Sequence, residues 1–392
     1  MRFNLWEDCN RVPLTELLSF IVDNRGKTVP TAPSGHKLIA TNCVTNNTLF
    51  PVYDKIRYLS EETYQTWFRA HPIPGDILFV NKGTPGRVCL VPDPVDFCIA
   101  QDMIALRADE SKIYPKYLFT VLRSREIQQQ IYNTNVGDVI PHFKKQFLDQ
   151  LLIPIPERSI QESIGDLYYV LSLKAERNKK INDNLQQQAK SLYEEMFLNN
   201  PDADMVSGTL SDIAKITMGQ SPSGSSYNEE SVGEIFYQGR AEFGFRFPTR
   251  RLFTTEPKRM AEPGDVLLSV RAPVGDLNVA YEKCCIGRGL GAIHSKTGDS
   301  SFMLYTMFAL KPQLDVFNGE GTVFGSINRD GLSNLPVNIP SAEEIAKFEA
   351  TVRPMDNLIR TNHEEICRLQ SIRDSLLPKL MSGEIDVSDI KL

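Results

Sequence analysis

The chain has 392 residues, a formal net charge of −6, 41% hydrophobic residues and 23% charged residues. This length allows two or three domains with separate cores, and the composition is ordinary for a globular protein. No apolar run is long enough to span a bilayer, and the charged start MRFNLWEDCNR lacks the apolar core of a signal peptide. Seven cysteines without a C-x-x-C motif indicate reduced thiols, so we expect a cytoplasmic protein without a membrane partner.

In chain order, the sequence predicts four segments. Residues 1–155 and 206–340 are rich in short Val, Ile, Leu and Phe runs closed by glycine and proline, which is typical of β-strands and turns. Residues 156–200 and 341–392 have helical periodicity. The net charge is +1 in residues 1–155 and −1 in residues 206–340, and it is −3 in each of residues 156–205 and 341–392. An anion-binding surface would therefore have to be local to the β-rich segments.

The two β-rich segments are copies of one another. PGDILFVNKGTPGR at 74–87 matches PGDVLLSVRAPVGD at 263–276, and CIAQDMIAL at 98–106 matches CIGRGLGAI at 285–293. Further matches join PLTELLSF at 13–20 to TLSDIAKI at 209–216, and residues 136–156 to residues 321–340. A period near 190 residues indicates a duplicated domain rather than a solenoid.

Both helical segments show the heptad spacing of a coiled coil. The predicted seam positions of the first are Ile160, Ile164, Leu167, Leu171, Lys174, Asn178, Ile181, Leu185, Gln188 and Leu192. Those of the second are Ile345, Phe348, Val352, Met355, Asn362, Leu369, Leu376 and Leu380. Ser341 and Glu344 predict a capping box at the start of the second helix.

Asn178 and Asn362 occupy equivalent seam positions, where a buried amide can fix helix register at some cost in stability; the alternative is that both face solvent. Because a whole domain separates the two helices in sequence, we expect them to pair antiparallel. The predicted fold is α+β, with two similar β-rich domains separated by a pair of long antiparallel coiled-coil helices in a pseudo-two-fold arrangement.

Motifs for catalysis are missing from the sequence. GKT at 26–28 lacks the upstream glycine of a phosphate-binding loop, and no Asn-Pro-Pro-aromatic tetrapeptide of an adenine methyltransferase occurs. The five histidines are scattered, and no Gly-x-Ser-x-Gly elbow is present. We therefore expect no catalytic residues and no metal site in this chain.

The order of these features resembles the DNA specificity subunit of type I restriction–modification enzymes. The resemblance rests on the two domains with their central PGD-(I/V)-L strands, on IPIP and VNIP before each long helix, on IFYQGRAEFGFRFP at 235–248, and on the terminal LLPKLMSGEIDV. It covers essentially the whole chain. It implies two target-recognition domains that each bind half of a bipartite DNA site, joined by helices that act as a molecular ruler.

The resemblance also implies partners and cofactors. Two modification (methyltransferase) subunits would dock on the helices, bind S-adenosylmethionine and methylate adenine N6. Restriction subunits, which use ATP and Mg²⁺ in phage defence, would join that core, so this chain would hold no cofactor. Because the two domains differ in sequence, the bound site need not be palindromic.

Candidate DNA-binding residues are polar or basic and lie in loops at matching places of the two copies. They are Lys27, Thr28, Lys82, Arg87, Lys144 and Lys145 in the first domain, and Gln220, Ser221, Arg240, Arg271, Arg288 and Arg329 in the second. Lys82/Arg271 and Lys145/Arg329 rank highest, because both copies keep a cation there. Two other functions stay open at this stage: a scaffold that binds only proteins, which the acidic total favours, and an enzyme with an unrecognised nuclease or methyltransferase site.

Overall fold

The protein is described here from a computed structural model, which covers residues 4–24, 26–134, 141–200, 205–318 and 325–385. The chain forms two compact units. Unit 1 comprises Met1–Lys180 and Asn362–Leu392, and unit 2 comprises Ile181–Thr361. The division between the units therefore falls inside both of the long helices that the heptads predict.

The first copy contains nine strands and four short helices in the described residues, followed by a long helix. The strands are β1 (Asn10–Pro13), β2 (Leu18–Val22), β3 (His36–Ile39), β4 (Arg57–Leu59), β5 (Ile77–Val80), β6 (Val88–Leu90), β7 (Phe97–Ile99), β8 (Met103–Ala108) and β9 (Leu152–Ile155). The helices are α1 (Leu5–Asp8), α2 (Glu61–Thr66), α3 (Pro115–Leu122), α4 (Arg125–Thr134) and the long α5 (Arg158–Tyr193). A π-helical turn, Glu194–Leu198, continues α5.

The second copy follows the same plan. Its strands are β10 (Met205–Thr209), β11 (Ala214–Met218), β12 (Tyr227–Asn228), β13 (Glu234–Tyr237), β14 (Phe253–Thr254), β15 (Met260–Ala261), β16 (Val266–Ser269), β17 (Leu277–Val279), β18 (Cys284–Ile286), β19 (Leu290–Ser295) and β20 (Pro336–Pro340). Its helices are α6 (Leu210–Ile213), α7 (Ser300–Ala309), α8 (Lys311–Asp315), α9 (Arg329–Ser333) and the long α10 (Ala342–Met381).

The sheet topology is repeated. The four-stranded sheet of the first copy has the order β2-β8-β5-β6, and that of the second has the equivalent order β11-β19-β16-β17. Each copy also has a second sheet containing one parallel pair, β3–β7 or β13–β18. The first and last strands of each copy pair with each other, as β1–β9 and β10–β20. The duplication predicted from the sequence is thus a duplication of the fold, and the predicted α+β class with two similar β-rich domains is confirmed.

The repeated Pro-Gly-Asp motif has a structural cause. Gly75 and Gly264 have φ angles of +87° and +89°, which a side chain would disfavour. The Asp76 and Asp265 carboxylates each accept the backbone N–H three residues earlier, at 2.9 Å in both copies. These contacts close a tight turn that directs the chain into the buried strands β5 and β16.

In unit 1, the long helices pack antiparallel against each other and against the sheet. Arg373 lies over the Tyr168 ring at 5.5 Å, whereas Asn178, ten residues further along α5, bonds to Glu365, eight residues earlier on α10. The core of this unit combines strand, α3, α5 and α10 residues. It includes Phe79, Leu106, Tyr117, Phe119, Phe143, Ile164, Leu377 and Leu380.

In unit 2, the other halves of α5 and α10 also run antiparallel. The Asn182 amide approaches the Ile359 carbonyl at 3.5 Å, and the Tyr193 and Phe348 rings meet edge to face with centroids 5.6 Å apart. Tyr193 and Phe348 belong to an aromatic cluster that anchors the helices to α7 of this domain. The other members are Phe197, Phe302 and Tyr305. The predicted antiparallel pairing is confirmed within each unit.

The predicted seam is partly right for α10, where Ile359, Ile366, Arg373 and Leu377 are also buried, and it is shifted by one residue for much of α5. On α10, Phe348, Val352, Asn362 and Leu380 are buried as predicted. On α5, Ile181 is 43% exposed, and the buried positions from residue 172 onward are small or polar for the most part. They are Ser172, Ala175, Asn178, Asn182, Gln186, Ala189 and Tyr193. A seam of small side chains brings the helices close but gives no apolar periodicity, which explains the error.

Asn178 and Asn362 are both buried, with 4% and 7% of their surface exposed. The Asn178 amide donates to a Glu365 carboxylate oxygen at 2.7 Å, and this bond is the main reason that the pKa of Glu365 lies below its usual value. Their proposed role in fixing helix register stays a prediction. The predicted capping box is present, since Ser341 and Glu344 exchange side-chain-to-backbone bonds at 3.3–3.4 Å.

A stack of aromatic and imidazole rings in unit 1 predicts a pH dependence of stability. His36 stacks on Tyr64, and Tyr64 stacks on His71, with centroids 4.1 and 4.4 Å apart. Burial lowers the pKa of His71 below its usual value of 6.5. The unfolded chain therefore takes up a proton at His71 more readily, so acidification below about pH 6.5 favours unfolding.

We expect His71→Phe, which keeps an aromatic ring, to lose less unfolding free energy between pH 7.5 and pH 5.5 than the natural chain loses. Urea denaturation at both pH values measures the difference. An identical loss in both chains would contradict the assignment.

Candidate nucleic-acid interface

In the second domain, three loop segments meet at one end of the four-stranded sheet. The Val270 N–H donates to the Gly289 carbonyl at 3.0 Å, and the Ile327 N–H donates to the Val270 carbonyl at 3.1 Å. A β-bridge joins Arg271 to Ser326. We call residues 270–272, 287–289 and 325–327 the domain-2 loop cluster.

The first domain builds the same cluster from equivalent residues. The Asn81 N–H donates to the Asp102 carbonyl at 3.1 Å, and the Phe143 N–H donates to the Asn81 carbonyl at 2.8 Å. A β-bridge joins Lys82 to His142. Residues 81–83, 100–102 and 141–143 form this domain-1 loop cluster. Lys82 therefore has the same place in its domain as Arg271 has in the other.

The structure brings some of the predicted residues of the first domain together. All six are exposed. Lys82 lies in the domain-1 loop cluster, and Lys144 and Lys145 follow its last segment directly. Lys145 pairs with Asp23 at 2.8 Å, which ties that segment to the loop that leads to Lys27 and Thr28. Arg87 lies across the β5–β6 turn, where its carbonyl accepts the Val80 N–H.

In the second domain, the predicted residues converge more closely. The Gln220 N–H donates to the Ile286 carbonyl at 3.0 Å, and the Ser221 hydroxyl accepts the Arg288 N–H at 3.2 Å. Arg271, Arg288, Ser326 and Asn328 line one open cleft. Arg240 and Arg329 flank the cluster. Arg240 lies two residues after Gln238, whose carbonyl accepts the Gly289 N–H, and Arg329 is the first residue of α9.

Most of these cations are free to meet an anion. Lys145 is paired with Asp23 and Arg240 with Asp276, and all four side chains are at least one-third exposed. Among the described residues, no acidic side chain forms an ion pair with the remaining predicted cations. These are Lys27, Lys82, Arg87, Lys144, Arg271, Arg288 and Arg329. The two exposed pairs are weak enough to exchange a carboxylate for a phosphate.

Residues without charge also belong to the clusters and were missed by a search for cations. Buried side-chain oxygens of Asn81 and Gln101 in the domain-1 loop cluster, and of Thr84 beside it, have no hydrogen-bond partner among the described residues. Gln101 aligns with Arg288 through CIAQ and CIGR, and Asn81 aligns with Val270. A different search could have found them. It would take every candidate residue of one copy and accept any polar residue, charged or not, at the aligned position of the other copy.

The described part of the chain shows neither a metal-binding cluster nor a membrane-spanning helix. No cluster of three or more His, Cys, Asp and Glu side chains suits a metal ion there. The described helices include none that is long and apolar enough to cross a membrane.

Comparison with known proteins identifies the family. The family described as "Type I restriction modification DNA specificity domain" matches twice, at residues 19–187 and 203–370. The chain belongs to this DNA specificity family. The two matches contain the two loop clusters, one in each, so the chain is a DNA sequence-specificity subunit of the type I restriction–modification class. Such specificity subunits are in general not catalytic.

Individual relatives agree with this family. A Methanocaldococcus jannaschii protein that carries the name of the type I restriction enzyme MjaX specificity subunit is 29% identical over 358 residues, 85% of this chain and 84% of its own length. The HindI specificity subunit of Haemophilus influenzae is 21% identical and aligns with 79% of this chain and 86% of its own length. The crystal structure of a type I S subunit from M. genitalium, 16% identical, has the same fold with a TM-score of 0.63 over 97% of this chain and 98% of its own.

Proposed function

We propose that each loop cluster of this specificity subunit binds one half of a bipartite, non-palindromic DNA site and thereby directs adenine methylation and restriction by partner subunits. The observation that carries this proposal is the duplicated cluster. One backbone arrangement is built twice, with a cation kept at Lys82 and Arg271 and different side chains around it. Equal geometry with unequal side chains suits two related but different half-sites.

Local charge supports DNA binding in spite of the acidic total. Residues 156–205 and 341–392 carry a net −3 each, whereas the β-rich segments are close to neutral and concentrate exposed cations at the clusters. Lysine and arginine side chains without carboxylate partners can replace the counterions of the phosphate backbone. The acidic helices would then face protein subunits rather than DNA.

The catalytic groups belong, in this proposal, to partner subunits. Two methyltransferase subunits would dock on the helices and hold S-adenosylmethionine, and restriction subunits, where the system has them, would hold ATP and Mg²⁺. This chain would then bind no cofactor of its own. The internal duplication supports one methyltransferase for each recognition domain.

Mapping methylated adenines in the source genome, with the gene intact and deleted, tests this function. We expect one bipartite sequence to lose methylation at every occurrence when the gene is deleted. Its two halves should differ in sequence and be separated by a constant gap. An unchanged methylation pattern would contradict the proposal and favour the protein-binding scaffold.

Arg271→Ala is expected to weaken DNA binding at one half-site only, because Arg271 belongs to the domain-2 loop cluster. DNase footprinting of the complex with its methyltransferase should show reduced protection of one half and normal protection of the other. Loss of one phosphate contact should also reduce the salt dependence of binding by about one unit of slope.

Arg250→Ala is the matched control, because Arg250 is an exposed arginine of the same domain that is already paired with Glu282 at 2.5 Å. It should leave both footprints unchanged. Equal loss at both halves in Arg271→Ala would indicate a folding defect and contradict a local role.

A further inference from the structure

Gln101 and Arg288 occupy the same position in the two loop clusters. Each directly precedes the residue, Asp102 or Gly289, whose carbonyl accepts the backbone N–H of the cluster's middle segment. That middle segment carries Lys82 in one domain and Arg271 in the other. Each domain thus places two side chains next to each other on neighbouring segments, and the duplicated fold allows them to be compared within one chain.

The two positions differ in what the duplication has preserved. Lys82 and Arg271 are both cations, as a phosphate contact requires whatever the base sequence. Gln101 and Arg288 are chemically different: one is a neutral amide with a donor and an acceptor, and the other is a guanidinium with donors only. A position that changes chemistry between two recognition domains is suited to reading a base.

The surroundings of Arg288 hold its backbone and leave its guanidinium free. The Ser221 hydroxyl accepts the Arg288 N–H, and the glycines on either side pack so closely on Gln238 that a Cβ at either one would lie within 2.9 Å of the Gln238 carbonyl oxygen. In the portion of the chain that the structure describes, no carboxylate pairs with the guanidinium. The fixed loop limits the backbone entropy lost on binding, and the unpaired guanidinium is available to a ligand.

The surroundings of Gln101 are polar and unsatisfied. Besides the Gln101 side-chain oxygen, the Asn81 amide oxygen and the Thr84 hydroxyl are buried, and no residue in the described ranges forms a hydrogen bond with them. Such groups are rare in folded proteins and point to a missing ligand or ordered water. The domain-2 equivalents of Asn81 and Thr84 are Val270 and Pro273, which carry no side-chain polar atoms. This group of buried polar side chains is therefore found in the domain-1 cluster and not at the equivalent positions of domain 2.

We propose that Gln101 and Arg288 read one base each, with Gln101 selecting adenine in the half-site of domain 1 and Arg288 selecting guanine in the half-site of domain 2. The pairing follows from hydrogen-bonding geometry: a glutamine amide can bond both N6 and N7 of adenine, and a guanidinium can bond both O6 and N7 of guanine. Lys82 and Arg271 hold the adjacent phosphates. This inference rests on the proposed DNA-reading function of the clusters.

The natural methylated sequence gives the first test. The domain-2 half, identified as the half whose footprint Arg271→Ala weakens, must contain a G·C pair. The domain-1 half must contain an A·T pair in addition to the methylated adenine. A half-site that lacks its required pair would overturn the assignment for that domain.

Two exchanges give the decisive test in the complex with the methyltransferase subunits. With Gln101→Arg, one position of the domain-1 half should change from adenine to guanine, with a preference of about 10- to 100-fold for the new base over the old. With Arg288→Gln, one position of the domain-2 half should change from guanine to adenine by a similar factor. The other half and the gap should stay the same in each case.

Controls and second variants keep the result interpretable. Lys82→Gln, on the neighbouring segment, should slow methylation without changing the methylated sequence. If an exchange variant is inactive, Gln101→Ala or Arg288→Ala should still methylate DNA and should accept several bases at the same position. Variants that methylate the natural sequence with undiminished selectivity would overturn the inference, and the proposed function would fail only if the natural chain directs methylation to no defined sequence.

Discussion

Replacing Arg246 with methionine is expected to lower the free energy of unfolding of unit 2 by about 3–5 kcal/mol. Arg246 is 4% exposed and donates to Asp356 at 2.7 Å, to Gln186 at 3.0 Å and to the Tyr305 hydroxyl at 3.2 Å. These three residues come from α10, α5 and α7. The guanidinium is therefore a buried polar connection between the second recognition domain and both helix segments of its own unit.

The size of this effect follows from what the substitution leaves behind. Burial alone would lower the pKa of the Arg246 guanidinium, but the Asp356 carboxylate and the Tyr305 hydroxyl beside it raise it above its usual value. Without the guanidinium, Asp356, whose side chain is only 17% exposed, would be a charge without its partner. Removing one member of a buried pair costs more than the pair contributes.

Urea denaturation of the full chain measures the change, and two further variants interpret it. Arg250→Ala removes an arginine of the same domain whose ion pair with Glu282 is exposed, and should change the unfolding free energy by less than about 1 kcal/mol. Arg246→Met combined with Asp356→Leu should recover much of the loss, because no unpaired charge remains. A single variant as stable as the natural chain would show that the network contributes nothing.

Inserting one heptad into both long helices is expected to abolish methylation of the natural site and to create a site with a longer gap. Seven residues add about 10 Å to a helix, which corresponds to about three base pairs of DNA. The insertions belong between Lys180 and Ile181 and between Thr361 and Asn362, where the two units divide. Because a heptad returns each helix nearly to the same face, the seams on either side should keep their contacts.

The sequences of the two half-sites should not change in this variant, since neither loop cluster is altered. Methylation mapping of a genome that carries the variant returns both halves and the gap. A five-residue insertion in both helices is the matched control: at 3.6 residues per turn it rotates each seam by about 140° and should abolish methylation altogether. A heptad variant that still methylates the natural gap would show that the helices do not set it.

Features that repeat were predictable from the sequence, because the duplication supplies an internal comparison. The two domains, their Pro-Gly-Asp turns and the equivalence of Lys82 with Arg271 all follow from aligning the chain with itself. The seam of α10 was predictable for a different reason: its buried positions are mostly large and apolar, as at Phe348 and Val352. Such residues give a strong helical period.

Features that depend on close approach could not be predicted. The seam of α5 consists of small and polar residues, so an apolar period misplaced it by one residue. Gly165 lies inside α5, where glycine usually weakens a helix, because a Cβ there would be 2.6 Å from the Tyr117 backbone nitrogen. Arg246 resembles any surface arginine in the sequence. Only the fold shows that it is buried against two helices.

The pairing of β1 with β9, and of β10 with β20, has an evolutionary consequence. Each recognition domain enters and leaves through two hydrogen-bonded neighbours, so its beginning and its end lie side by side. A gene segment bounded by these strands encodes one domain whose first and last strands pair with each other. Recombination at those boundaries would exchange one recognition domain, and with it one half of the target sequence, while leaving the long helices unaltered.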